Sequence, residues 1–369
     1  MKQVPTSLRP RILVAPLDWG LGHATRCIPV IRQLIQKDCE VILAGEGKIE
    51  TLLRTEFPQL LFLPLAGYRI RYAKTRLGLM RRILQQVPQI QKTIASENRW
   101  LQQAVTDHQL DAVISDNRFG LHHPGVRSVY MTHQLQIQTP FAPATAWLQK
   151  LHYRYINRFD QCWVPDYEGA NNLAGQLSHP KVMPVLPVQY IGPLTRFESG
   201  ADTLEHYPLV LLSGPEPQRS LLEQKILEQV KAYQQPIMIV RGLPGHTGLP
   251  PVPYHVTIVN HLPANALQKA IEQATFVIGR TGYSTVMELM ALKKKSILIP
   301  TPGQTEQEYL ARHLTAQNAA LCLPQSRFSL SPALSLASHF NYRFPEGENK
   351  DALPQAIDHL LGQLQKKAV

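Results

Sequence analysis

The chain has 369 residues, 44% hydrophobic and 18% charged, with 38 Lys and Arg against 27 Asp and Glu for a formal net charge of +11. That length allows two cores of ordinary size, the charge favours an anionic partner, and no apolar run is long enough to span a bilayer. The four cysteines (Cys27, Cys39, Cys162, Cys322) show no CxxC spacing, which excludes a disulfide framework or zinc ribbon and suits a reducing cytoplasm. The start, MKQVPTSLRPRILVAP, has positive charge but no long apolar core, so no secretory signal is read there.

The first half alternates short apolar runs with longer amphipathic stretches. RILVAPL (11–17), EVILAGE (40–46), LLFLPL (60–65), DAVISD (111–116), RSVYMTH (127–133) and QCWVPD (161–166) are expected strands, with helices at Thr25–Lys37 and Leu77–Val105 among those between them. Nearly continuous apolar strands separated by helices imply a parallel sheet covered on both faces. VQYIGPL (188–194) leads into the polar, aperiodic TRFESGADTLEHYP, which reads as a linker. A second series follows: PLVLLSG (208–214), PIMIVRG (236–242), HVTIVNH (255–261), TFVIGR (275–280) and SILIPT (296–301), with helices at Ser220–Tyr233, Asn265–Ala274, Tyr283–Leu292 and Glu306–Thr315. A last helix is expected over Lys350–Lys367. The organisation is α/β: two tandem Rossmann-like doubly wound domains over 1–194 and 208–345, a linker at 195–207, and a terminal helical segment at 346–369. Ligands in such sheets bind beyond the carboxyl ends of the strands, so the site is sought in the loops after them.

DWGLGHATR (18–26) follows the first strand directly. Gly20 and Gly22 permit close backbone approach to a ligand, and the N–H groups opening the next helix attract anions. A nicotinamide fold is one reading, but Thr25 stands where that fingerprint packs Gly or Ala; a plain strand–helix turn is another. His23 in the first helical turn is kept neutral by the helix dipole, as a general base requires, or is simply a solvated or capping residue.

TFVIGRTGYSTVMELMAL reads as strand, tight turn and helix. Arg280, Thr281, Gly282, Ser284 and Thr285 gather N–H groups, hydroxyls and one guanidinium where a diphosphate gains most from the dipole. Glu288, a turn beyond Ser284, is placed to accept two ribose hydroxyls, or is an ordinary acid near a helix start. PTPGQTEQEYLARHL sets Gln304, Glu306 and Gln307 at the next helix start, where amides and carboxylates read sugar hydroxyls; a capping box from Thr305 to Glu308 is compatible with the same residues.

Four places together resemble GT-B glycosyltransferases of family 28, the group of the lipid-linked N-acetylglucosaminyltransferases: GLGH, His133–Gln134, HLPANALQKAIEQATFVIGRTGYSTVMELMAL and PGQTEQEYLARHL. The resemblance covers roughly Arg11–Leu323 and implies a nucleotide sugar, most simply a UDP-sugar, on the C-terminal domain. Arg280, Thr281, Gly282, Ser284 and Thr285 would then hold the diphosphate, Glu288 the ribose, Gln307 with Glu306 the sugar, and His261–Leu262 the base. His23 would stand near the reacting acceptor hydroxyl, with Gly20, Gly22, Asn117 and His133 on the acceptor side.

Two loops depart from the family. The first turn is DWGLGH rather than GGTGGH-like, making Asp18 a rival base, and SGPEPQR replaces a GGSQGA-like loop. Its prolines remove N–H donors, leaving Ser213, Gly214 and Arg219 for phosphate. No DxD motif stands at a strand end, so the resemblance implies an inverting transfer without metal or other cofactor. A non-hydrolysing epimerase and a catalytically inactive nucleotide-sugar-binding protein share the fold and stand as alternatives. Tyr68–Lys92 holds seven basic residues and no acidic one; its face from Arg69 to Lys92 suits an anionic membrane surface or a solvated helix. Without a nucleic-acid-binding module, no nucleic-acid partner is expected.

Overall fold

The computed structural model describes residues 9–68, 76–138, 142–197 and 206–365. The first sheet contains β1 (Arg11–Pro16), β2 (Glu40–Gly45), β3 (Leu61–Pro64), β4 (Ala112–Asp116), β5 (Arg127–Met131), β6 (Gln161–Val164) and β7 (Val188–Tyr190). They run in the order β3-β2-β1-β4-β5-β6-β7 with every pairing parallel. Helices α1 (Leu21–Gln36), α2 (Lys48–Glu56), α3 (Arg76–His108) and α4 (Ala142–Ile156) cover it.

The second sheet contains β8 (Tyr207–Leu211), β9 (Ile237–Val240), β10 (Val256–Val259), β11 (Ala274–Arg280), β12 (Ser296–Ile299) and β13 (Leu321–Cys322), ordered β10-β9-β8-β11-β12-β13 and also parallel. Its helices are α5 (Gln218–Gln229), α6 (Ala264–Glu272), α7 (Tyr283–Ala291), α8 (Thr305–Ala316) and α9 (Leu330–His339); α10 (Ala352–Gln365) closes the chain.

Both sheets are doubly wound, and each reverses direction at one point: between β1 and β4 in the first, between β8 and β11 in the second. A crevice opens at the carboxyl end of such a point. The register sets Pro16 beside Asp116 in the first sheet and Gly279 beside Leu211 in the second, so the loops after these four strands flank two facing crevices.

Helix α1 begins at Leu21, four residues before the expected start, because Gly20 takes φ 127 and caps it; a side chain there would be strained. Its inner face, Ala24, Cys27, Ile28, Ile31 and Leu34, is wholly buried, and each large apolar side chain so buried contributes about 1.5–3 kcal/mol. The same apolar cluster takes in Val286, Met287 and Leu289 of α7 and Ile357 and Leu360 of α10, so one core runs through both halves. Lys37 and Asp358 join α1 to α10 by an ion pair at 2.6 Å. Among the described residues no helix is long and apolar enough to cross a membrane. Of the basic face expected over Arg69–Lys92, residues 69–75 and the side chains of 76–87 lie outside what the structure describes, as does most of the linker at 195–207.

Candidate active site

Asp116 ends β4 at the first switch point and is fully buried. Three groups satisfy it. Arg26 donates from both Nε (2.9 Å) and Nη2, and His23 Nδ1 lies 2.9 Å from Oδ2. Burial acts to raise this carboxyl, but Arg26 and then His23 outweigh it and hold its pKa at about 2. His23 is itself pushed below its usual value, first by burial; Asp116 opposes that shift and Arg26 reinforces it. The imidazole is therefore neutral near pH 7. A carboxylate only accepts, so a bond to Asp116 assigns the proton to Nδ1 and leaves the lone pair on Nε2. His23 lies in the first turn of α1, where the dipole also favours the neutral ring.

The same arginine reaches His133, just past β5, with Nη1 3.1 Å from Nδ1. His133 Nε2 faces Glu306 Oε1 at 2.9 Å across the cleft, and its ring stacks on Tyr283 at 4.2 Å with an interplanar angle of 8°. Burial tends to raise Glu306, but His133, then Arg26 and His23, hold it below the usual range. Tyr283 Oη donates to the Pro165 carbonyl, Ser284 Oγ to the Gly22 carbonyl at 3.0 Å, and Thr305 Oγ1 to the Gln138 carbonyl at 2.8 Å. The two glycine turns singled out in the sequence thus meet directly. A Cβ on Gly22 would stand 2.8 Å from Ser284 Oγ.

On the C-terminal side, Gly282 caps α7 without a side-chain bond. Around the second switch point, Thr281 Oγ1, Thr301 Oγ1, Gln218 Oε1 and Arg280 Nε are buried with no hydrogen-bond partner. Native proteins rarely leave such groups unsatisfied. Thr285 is half-buried one turn into the helix, and Ser213 and Gly214 (φ 101) shape the loop after β8.

Two arginines differ from expectation. Arg280 is 1% exposed and donates to the carbonyls of Gln218, Ile299 and Pro300; burial lowers its pKa to about 10. Arg219 is bonded to Glu216 (2.6 Å), Glu223 (3.2 Å) and the Arg241 carbonyl. Arg219 is thus tied to two carboxylates, while Arg280 bonds only carbonyls and its Nε has no partner, so neither presents a whole free fork to a diphosphate.

Glu288 also has a partner the sequence did not suggest. Arg196, at the start of the expected linker, sits 3.0 Å away, with both side chains 11% exposed. Burial raises the Glu288 carboxyl and Arg196 opposes it. His261, in the loop with Leu262 between β10 and α6, is lowered by burial and then by Arg196. Gln304 is the N-cap of α8, Gln307 accepts from the Thr301 N–H at 2.9 Å, and Glu308 accepts from the Gly303 N–H. Thr305, expected as the cap, instead bonds across to the first half.

Asn117 takes φ 58 and accepts from Tyr130 Oη, so its neighbour Asp116 is the residue in the cleft. Asp18 accepts from the Tyr68 N–H at 3.0 Å and lines a separate pocket of about 360 Å³ with Gly20, Glu46 and Lys48. No group of three metal-ligating side chains is found among the described residues.

Residues 254–355 match the model of the glycosyltransferase family 28 C-terminal domain. Over 87 residues the chain is 39% identical to the Bacillus licheniformis UDP-N-acetylglucosamine–N-acetylmuramyl-(pentapeptide) pyrophosphoryl-undecaprenol N-acetylglucosamine transferase, a stretch covering 23% of this chain and 18% of that protein. The enzyme of the same name from Methylorubrum extorquens is 43% identical over 58 residues, 15% of this chain and 16% of its own. These alignments thus span less than a fifth of the relatives' length. Solved structures agree over almost the whole chain: the kitacinnamycin glycotransferase (TM-score 0.63, 14% identity, 97% of this chain and 95% of that one) and Acinetobacter baumannii MurG (0.55, 16%, 96% and 100%). The glycosyltransferase SnogD from Streptomyces nogalater gives 0.63 at 11% identity, over 97% and 100%. The chain has the GT-B fold of these glycosyltransferases, and residues 254–355 in its C-terminal half are similar to the family 28 C-terminal domain.

Proposed function

We propose that the protein transfers a sugar from a UDP-sugar to a hydroxyl acceptor held on the N-terminal half. The observation that carries this reading is the Asp116–His23 pair standing across one cleft from Glu306 and the N-terminus of α7. His23 Nε2 takes the proton from the acceptor hydroxyl as its oxygen bonds to the anomeric carbon. The bond from that carbon to the diphosphate oxygen breaks, and the electron pair leaves with UDP. Asp116 steadies the imidazolium formed. The N–H groups opening α7, with Thr281 and Thr301, receive the diphosphate charge, Glu288 the ribose, and Glu306 with Gln307 the sugar. Direct displacement inverts the anomeric centre. The relatives' names supply the first donor to try, UDP-N-acetylglucosamine, and a lipid-linked acceptor at the cytoplasmic membrane face is the matching choice.

A second reading, nucleotide-sugar epimerisation, is favoured by one fact: Asp116, His23, His133 and Glu306 crowd a single cleft. Incubation with UDP-N-acetylglucosamine, with and without a bacterial lipid extract, separates the two. Extract-dependent UDP release, lost in His23→Gln, supports transfer. An epimeric UDP-sugar formed without extract supports the second reading. Neither product, with UDP still bound, would leave a binding protein.

A further inference from the structure

Arg26 was read in the sequence only as part of an amphipathic helix, yet it is 2% exposed and its guanidinium lies within hydrogen-bond distance of Asp116, His23 and His133. It lies one turn after His23 on α1, so both side chains project from one face. Its Nε and Nη2 fork onto Asp116, while Nη1 points to His133 Nδ1 at 3.1 Å. Arginine is never an acceptor, so this last contact requires a lone pair on His133 Nδ1. The ring proton of neutral His133 then lies on Nε2, facing Glu306 at 2.9 Å.

We propose that Arg26 is a positioning residue that sets the tautomers of both cleft histidines in opposite senses. Through Asp116 it keeps the proton of His23 on Nδ1 and leaves Nε2 open as an acceptor. Directly, it keeps the proton of His133 on Nε2, where that histidine donates across the cleft to Glu306. One guanidinium thereby readies a base on one side and closes a bridge between the halves on the other. The inference deepens the transferase reading and rests on it for the word base, but the tautomers themselves do not depend on which reaction is run.

The competing arrangement is concrete. Arg26 Nη2 also lies 2.9 Å from His23 Nδ1; were it to donate there, His23 would carry its proton on Nε2 and could not serve as a base. Nitrogen-15 NMR of the histidine-labelled full chain near pH 7.5 distinguishes the two, with His23→Gln and His133→Gln used to assign the signals. The expected wild-type result is a protonated Nδ1 on His23 and a protonated Nε2 on His133. In Arg26→Gln both should shift toward mixed tautomers, whereas Arg26→Lys, with one cation and no fork, should restore only one of them. A wild-type His23 protonated on Nε2, or tautomers unchanged in Arg26→Gln, would overturn the proposal. Should Arg26→Gln fail to fold, a wild-type His23 protonated on Nε2 still overturns the proposal, and Arg26→Lys supports it by losing one of the two tautomers or overturns it by keeping both. Correct tautomers in a protein that turns over no UDP-sugar would count against the transferase reading and leave the positioning role standing.

Discussion

Replacing Asp116 by Asn perturbs the centre of the network and gives the most calculable result. The carboxyl is fully buried, and its pKa is about 2 against an ordinary 3.8. A folded-state pKa lowered in this way contributes stability that is complete above pH 3.8 and is lost as the pH falls through 2. Nearly two units correspond to about 2 kcal/mol at pH 7. Asparagine removes that and also strands Arg26, 2% exposed, as an unpaired buried charge. Breaking such a pair costs about 3–5 kcal/mol, which for a chain of 369 residues corresponds to a fall in Tm on the order of 4–6 °C. Arg26→Met in the Asp116→Asn background should recover about 2 kcal/mol, since no uncompensated charge then remains buried. Thermal unfolding by circular dichroism at pH 7 provides the readout. A Tm within about 1 °C of wild type for Asp116→Asn, or a double variant whose loss equals the sum of the singles, would refute the reasoning.

Four further outcomes are expected. His23 must be neutral to accept a proton and its pKa is lowered, so UDP release should have an acid limb centred below pH 6.5; a limb above 6.5 would assign the base elsewhere. His152, packed against Phe119 with Nε2 buried and unpaired, is held at a pKa of about 4 by burial. Stability should therefore fall as pH drops from 6.5 toward 4, and by roughly 2–3 kcal/mol more in wild type than in His152→Phe; parallel Tm profiles would contradict this. Gly22→Ala adds a residue that alone favours a helix interior by about 1 kcal/mol, yet its Cβ meets Ser284 Oγ at 2.8 Å. Tm should fall rather than rise, and Ser284→Ala should relieve part of the loss. Arg196→Ala should lower stability without ligand, while UDP raises the Tm of the variant more than that of wild type. An equal UDP-induced shift in both would detach Glu288 from the ribose.

Eleven strands were legible because buried parallel strands read as continuous apolar runs bounded by turns, whereas β7 has three half-buried residues. β13 has only two residues, and α2 buries only Ile49 and Leu53, too little for a period to show. At the site, His23, His133, Ser284 and Glu306 stood out by residue type at strand ends. Asp116 and Arg26 did not, because their pairing spans 90 positions and each had a plain local role: one at the end of an apolar strand, the other inside an amphipathic helix. Arg280 and Arg219 illustrate the converse. Their type and position suggested phosphate contact, whereas burial commits both to carbonyls and carboxylates of the protein. Arg196 was hidden in a segment whose composition reads as linker.

The most direct measurement is titration of UDP into the wild-type chain and Glu288→Gln, followed by heat of binding and by Tm. UDP at about one hundred times its Kd should add roughly 2.7 kcal/mol of stability, one UDP should bind per chain, and both signals should be lost in the variant. Stabilisation by NAD in place of UDP, or the absence of any nucleotide response, would contradict a nucleotide-sugar site on the C-terminal half.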